Sequence, residues 1–186
     1  MNLKETQQKS EYIYKGKIIN LRRDEALLPN GRTAAREVIE HPGGVCVVPV
    51  GEDGSITFVR QFRYPYSEEL LEIPAGKRDK SGEEPLECGK RELKEETGCT
   101  AEHYTLLSRM YPSPGYSAEI IYIYLATGIK TGEQRLDEDE FLNVSKIPLE
   151  KAVEMVMDGT ITDAKTSVGV LKTAMKLSKT KDEEKK

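Results

Sequence analysis

The sequence predicts an α+β chain, and three observations carry that prediction. Short apolar or alternating runs recur along it, among them VCVVPV, ITFVRQF and EIIYIYLATGI, and they read as strands. Between them PLECGKRELKEETG switches to helical spacing, with Leu86, Lys90, Leu93 and Thr97 following one another. Two further helical stretches, PLEKAVEMVMDG and DAKTSVGVLKTAMKLSK, close the fold.

Taken in order, the first ten or so residues are polar and are expected to fray. The runs YIYKGKIINLRRDEALL and TAAREVIEH flank Pro29-Asn30-Gly31-Arg32, where the Asn-Gly pair signals a hairpin. Pro42-Gly43-Gly44 breaks the chain before the buried strand VCVVPV, and GEDGS turns it into ITFVRQF. Residues 1–42 therefore read as a small β-rich segment, 43–178 as the main domain, and 179–186 as a charged, disordered tail. After the strand LLEIPAG and the loop KRDKSGEE comes the central helix. Pro85 suits its first turn, Glu83 and Glu84 suit its positive end, and Gly98 fits just past its C-terminus. YTLLSRM and EIIYIYLATGI are strands around the loop YPSPGY, the acidic loop EQRLDEDE leads to FLNVSKI, and Asp163 is placed to cap the last helix.

Composition narrows the function. Lys and Arg number 28 against 32 Asp and Glu, a net charge of -4, which argues against a nucleic-acid surface. Cys46, Cys88 and Cys99 form neither an even set nor a CxxC pair, and a reducing, cytoplasmic setting is expected. No run approaches the ~18 apolar residues of a membrane span, and no signal peptide is expected.

The carboxylates crowd onto the central helix. Glu92, Glu95 and Glu96 stand at i, i+3 and i+4, so they project from one face. Like charges so placed repel unless a cation sits among them. An all-oxygen donor set suits Mg²⁺ or Mn²⁺, ions that bridge protein carboxylates to substrate phosphates. The alternative is a solvated acidic stripe offset by Arg91 and Lys94.

Gly76, Glu83, Arg91, Glu92, Leu93, Glu95, Glu96 and Gly98 together resemble the Nudix box, G-x5-E-x7-R-E-U-x-E-E-x-G-U, with U aliphatic. Spacing from Glu83 through Gly98 matches without a gap. Six residues rather than five separate Gly76 from Glu83, a loop difference that costs little, and Cys99 takes the last aliphatic position. The resemblance implies an α/β/α sandwich with a mixed sheet, Mg²⁺ (or Mn²⁺) held by Glu92 and Glu96, Glu95 assisting directly or through water, and the carbonyl of Ala75 as a further ligand. It gives Glu83 either a structural pairing with Arg91 or a place near the metal. Cys88 is read as inert packing.

Beyond the box, the chain is similar to the ADP-ribose and nucleotide-sugar pyrophosphatase branch. That likeness puts Arg63 at a substrate-contacting position, with Glu72 just ahead of the box. Pro114 lies sixteen residues after Gly98, matching the proline that marks the ADP-ribose hydrolases of that branch. Gly115 and Tyr116 fall in the same segment as candidate substrate contacts, and Glu119 is similar to a glutamate close to the metals and diphosphate. Both Glu138 and Glu140 are candidates for the catalytic carboxylate, Glu140 favoured. The N-terminal segment implies a homodimer, with Arg36 and Glu37 reaching across it. The expected reaction is metal-dependent hydrolysis of ADP-ribose to AMP and ribose 5-phosphate. Alternatives are GDP-mannose or ADP-glucose as main substrate, since Tyr116 replaces a small residue, or a non-catalytic ADP-ribose sensor.

Overall fold

The computed structural model describes residues 2–78, 82–136, 138 and 140–183 of the 186. The chain divides into two compact units: residues up to Gly43 together with Tyr111–Ile120, and Gly44–Met110 together with the chain from Ile121 onward.

The first unit is built on an antiparallel sheet of β1 (Thr6–Lys15), β2 (Asn20–Leu27) and β3 (Thr33–Glu40). The Asn-Gly turn joins β2 to β3 as expected: Leu28 N–H donates to the Arg32 carbonyl at 2.7 Å, and Leu27 faces Thr33. The expected fraying of the N-terminus is not what the structure shows. β1 begins at Thr6 and pairs along β2 as far as Leu27, because backbone pairing on an open sheet edge needs no apolar side chain. Tyr111–Ile120, read from sequence with the main domain, docks on this sheet. Ile39 N–H donates to the Tyr116 carbonyl at 2.8 Å, and Ala118 N–H donates to the Ile39 carbonyl at 2.9 Å.

The second unit holds two sheets. One is β10 (Leu142–Pro148), β5 (Ser55–Arg63) and β6 (Glu68–Glu72), all antiparallel. The other is mixed, in the order β7 (Ala75–Lys77), β4 (Gly44–Pro49), β9 (Ile121–Lys130) and β8 (Thr100–Met110), with β4 and β9 parallel. α1 (Pro85–Thr97), α2 (Leu149–Met157) and α3 (Ala164–Glu183) complete it. The backbone of α3 thus runs through residues 179–183, the first part of the expected tail, and residues 184–186 lie outside the described residues.

β4 explains the layering. It is buried on both faces, which its unbroken apolar run requires. Val47 packs with Leu93 of α1, while Cys46 and Val48 face the cluster of Phe58, Ile73, Ile123 and Val170 that α3 covers. A helix therefore covers each face of the mixed sheet, an α/β/α arrangement. Leu93 has no solvent exposure, and truncating so buried a leucine to alanine costs about 2–5 kcal/mol. All three cysteines are free and buried. Among the described residues, no helix is long and apolar enough to cross a membrane.

Candidate active site

α1 turns its sequence pattern into a site. Pro85 occupies the first turn, and Gly98 ends the helix with φ 72°, its N–H returned to the Lys94 carbonyl. A side chain on Gly98 would also stand 2.4 Å from the Gly132 carbonyl oxygen. The buried face of the helix includes Cys88, Glu92, Leu93 and Glu96, so two of the three box glutamates on the helix point inward with the apolar residues. Glu95 stands on the flank, its side chain 40% exposed.

Each inward glutamate is seated against β7. Glu96 accepts a hydrogen bond from Ala75 N–H at 3.0 Å. Glu92 lies over Gly76, where an added Cβ would sit 1.8 Å from the Glu92 Cδ, so any side chain there displaces the Glu92 carboxyl. Arg91 holds the rim. Its Nε and Nη2 each reach a Glu83 oxygen at 3.1 Å, and its Nη1 reaches Glu92 at 2.7 Å and Glu95 at 2.9 Å. This pairing of Glu83 with Arg91 ties the loop before α1 to the helix.

Burial raises both inward carboxyls. Glu92 is lifted by desolvation, opposed by Arg91 and reinforced by Glu95 and Glu140. Glu96, 3% exposed, is pushed up to about 8 by burial first, with Ala75 opposing and the charges of Glu92 and Glu140 adding to it. Glu140 therefore bears electrostatically on both box carboxylates, whereas Glu138 is exposed. The loop that carries them is fastened to the end of α1. Gln134 Nε2 donates to the Glu96 carbonyl at 2.6 Å and Arg135 N–H donates to the Glu95 carbonyl at 2.9 Å, satisfying two helix-end acceptors.

A second group centres on Glu72 and joins the predicted Arg63 and Glu72 to Lys165, which sequence reasoning missed. This carboxylate has no solvent exposure, yet three N–H donors hold it. Arg63 reaches it with Nε and Nη2, both at 2.6 Å, and Lys165 Nζ with 2.5 Å. Lys165 also meets Asp163 at 3.0 Å, and Asp163 caps α3 by accepting from Thr166 N–H at 2.9 Å. Thr166 in turn accepts from Ile73 N–H through its hydroxyl at 3.0 Å. Burial would raise the Glu72 carboxyl, but Arg63 and Lys165 outweigh it and hold it below the usual range. Arg63, Glu72 and the cap residue Asp163 were each legible in the sequence; nothing local marked Lys165 as buried or joined the four.

The remaining candidates lie in the first unit. Pro114, Gly115 and Tyr116 are exposed, and Glu119 lies 3.3 Å from His41 Nδ1. Arg36 makes a two-point pair with Glu5, at 2.9 and 2.7 Å, and Glu37 is exposed on β3 beside Arg23.

The family model described as the NUDIX domain matches residues 40–167. The chain belongs to the Nudix family. A second model, the nucleoside diphosphate sugar hydrolase N-terminal domain, matches residues 5–39 of this Nudix hydrolase. Among its relatives, the ADP-ribose pyrophosphatase of Bacillus subtilis is 43% identical over 162 residues, covering 86% of this chain and 87% of that one. The methanol dehydrogenase activator of Bacillus methanolicus is 40% identical, covering 87% of this chain and 88% of its own. The GDP-mannose pyrophosphatase of Yersinia enterocolitica is 33% identical over 70% of this chain and 73% of its own. Among solved structures, an ADP compounds hydrolase superposes with TM-score 0.84 at 22% identity, covering 97% of this chain and 98% of that one, a likeness of fold.

The Nudix site fits a divalent cation by its donor chemistry. Glu92 and Glu96 are inward-facing oxygen donors whose acidity burial and mutual repulsion have suppressed. A cation in their place of convergence would displace protons and relieve that repulsion. Among the described residues, no three acidic, His or Cys side chains are already drawn together at ligating range, and Glu95 is turned to Arg91.

Proposed function

We propose that this chain hydrolyses the diphosphate bond of ADP-ribose, giving AMP and ribose 5-phosphate, and of related nucleoside diphosphate sugars. The observation that carries the reading is the inward pair Glu92 and Glu96, raised in pKa beside Glu140 on a Nudix helix. The ADP-ribose and GDP-mannose pyrophosphatases among its relatives support the substrate class.

In this reading Glu92 and Glu96 hold Mg²⁺, with Mn²⁺ able to replace it, aided by Glu95 and the Ala75 carbonyl. When bound, the ion neutralises the diphosphate and polarises its phosphorus. Arg91 keeps Glu92 and Glu95 oriented, and Glu83 keeps Arg91 in place. Glu140 takes a proton from the attacking water, with Glu138 the second candidate for that role. A phosphorus–oxygen bond of the bridge breaks, and the bridging oxygen leaves on one monophosphate. Arg63, oriented by Glu72, meets the anionic substrate. Pro114, Gly115, Tyr116 and Glu119 supply further substrate contacts, as do Arg36 and Glu37.

We also infer a homodimer formed through the N-terminal sheet. Tyr12, Ile13 and Tyr14 of β1 are about half exposed, an apolar stretch that suits a partner copy. Free, buried cysteines fit a cytoplasmic setting.

The test is a panel of ADP-ribose, GDP-mannose, ADP-glucose and NADH with Mg²⁺, scored by phosphate released after phosphatase coupling. ADP-ribose should turn over fastest. Tight ADP-ribose binding with no hydrolysis of any member would instead identify a sensor.

A further inference from the structure

Lys165 is the second residue of α3, and its side chain is only 12% exposed. Burying an ammonium is costly unless it is paired, and here it has two carboxylate partners, Glu72 at 2.5 Å and Asp163 at 3.0 Å. Asp163 is fixed independently by capping the helix. Glu72 is fixed by Lys165 on one side and Arg63 on the other, so both carboxylate oxygens are engaged and the carboxylate plane is set. A guanidinium bound at two points lies in the plane of its carboxylate. Arg63 makes that pair with Nε and Nη2, while its side chain remains 38% exposed. Its charge is also felt at Glu96. A cation held at two points by a buried carboxylate, more than a third exposed and felt electrostatically at Glu96, is arranged to receive an anion.

We propose that Lys165 is a positioning residue for the substrate diphosphate: through Glu72 it sets the orientation in which Arg63 meets the phosphates. The proposal rests on the diphosphate-hydrolase reading above. Without Lys165, one Glu72 oxygen keeps a single donor, the carboxylate turns in its buried seat, and Arg63 turns with it. The consequence falls on substrate capture, because Lys165 acts through Glu72 and Asp163 and pairs with none of the box glutamates.

The experiment measures kcat, KM and thermal unfolding for wild type, Lys165→Met and Lys165→Arg, each also in an Arg63→Ala background. A second readout is the calorimetric Kd of a methylene-bridged ADP-ribose analogue. Lys165→Met should raise KM and the analogue Kd about tenfold with kcat within about threefold, a loss of uniform binding. Lys165→Arg, keeping the charge, should recover most of the affinity. In the Arg63→Ala background Lys165→Met should add little, because the two act as one unit. A fall in Tm with KM and Kd unchanged would overturn the proposal, as would a full tenfold loss persisting without Arg63. If wild type neither hydrolyses the panel nor binds the analogue, the diphosphate-hydrolase reading fails and takes this proposal with it. If wild type turns over normally and only the Lys165 result fails, the hydrolase reading stands.

Discussion

Ala75 donates its backbone N–H to the carboxylate of Glu96 at 3.0 Å, so a strand of three residues anchors a glutamate on the helix twenty-one positions later. The pair joins β7 to the inward face of α1 that carries Glu92 and Glu96. It also leaves Glu96 with a strong demand for positive charge, since one neutral donor offsets little of the cost of burial.

Glu96→Gln should therefore remove turnover, by about a hundredfold or more, while leaving the fold intact. The amide keeps the shape but cannot supply the negative charge a bound cation needs. Mg²⁺-dependent hydrolysis beside circular dichroism checks this, and wild-type activity in the variant would reject the metal assignment.

Gly76→Ala places a Cβ where the Glu92 carboxyl now lies, 1.8 Å from its Cδ. Either the glutamate or the strand must shift, at about 1–3 kcal/mol. Activity should fall far more than the change in Tm alone would produce, and a higher Mg²⁺ concentration for half-maximal rate is the signature to look for.

Glu140→Gln and Glu138→Gln, tested side by side, separate the two loop candidates. Glu140 acts on both Glu92 and Glu96 through its charge, so its loss should lower kcat by about 10² to 10⁴. Glu138→Gln should cost much less. Equal, small effects would exclude the loop as the source of the base.

Glu72 gives a pH prediction with a definite sign. Its folded pKa lies below the ordinary carboxylate value, so the group stabilises the protein above its unfolded pKa and loses that contribution as pH falls. Glu72→Gln takes the carboxylate from Arg63 and leaves Lys165 with Asp163, and should cost up to about 3–5 kcal/mol at neutral pH. The gap in Tm between wild type and variant should narrow steadily as pH drops below the unfolded pKa of about 4.3. A gap independent of pH would mean that the carboxylate charge contributes nothing.

The limits of sequence reading follow from distance along the chain. α1 was legible because its signals are local: Pro85 at the start, Gly98 at the end, and Glu83 eight residues before Arg91, its partner in space. Lys165 was not, because its partner Glu72 lies 93 residues away and a lysine in DAKTS reads as an ordinary helix-surface residue. The first half of β1, TQQKSE, was hidden for a different reason. Its residues are exposed throughout, so no apolar rhythm announces the strand, and only pairing with β2 defines it. Tyr111–Ile120 shows a third case, where a loop takes its place from two backbone hydrogen bonds to Ile39 that no side-chain pattern encodes.

The three buried thiols make this chain its own reporter. Burial pushes Cys46 well above the ordinary thiol range and Cys88 up to about 12, with Glu92 adding to the effect at Cys88, so the native packing disfavours the reactive thiolate at both. Cys46 sits in the central strand β4, Cys88 on the first half of α1, and Cys99 just beyond its end. The rate at which each becomes labelled by a thiol reagent is a stopwatch on a separate opening event, read without adding a probe. A cysteine introduced at any surface position would meanwhile be modified first, giving a single attachment point on the otherwise unmodified protein.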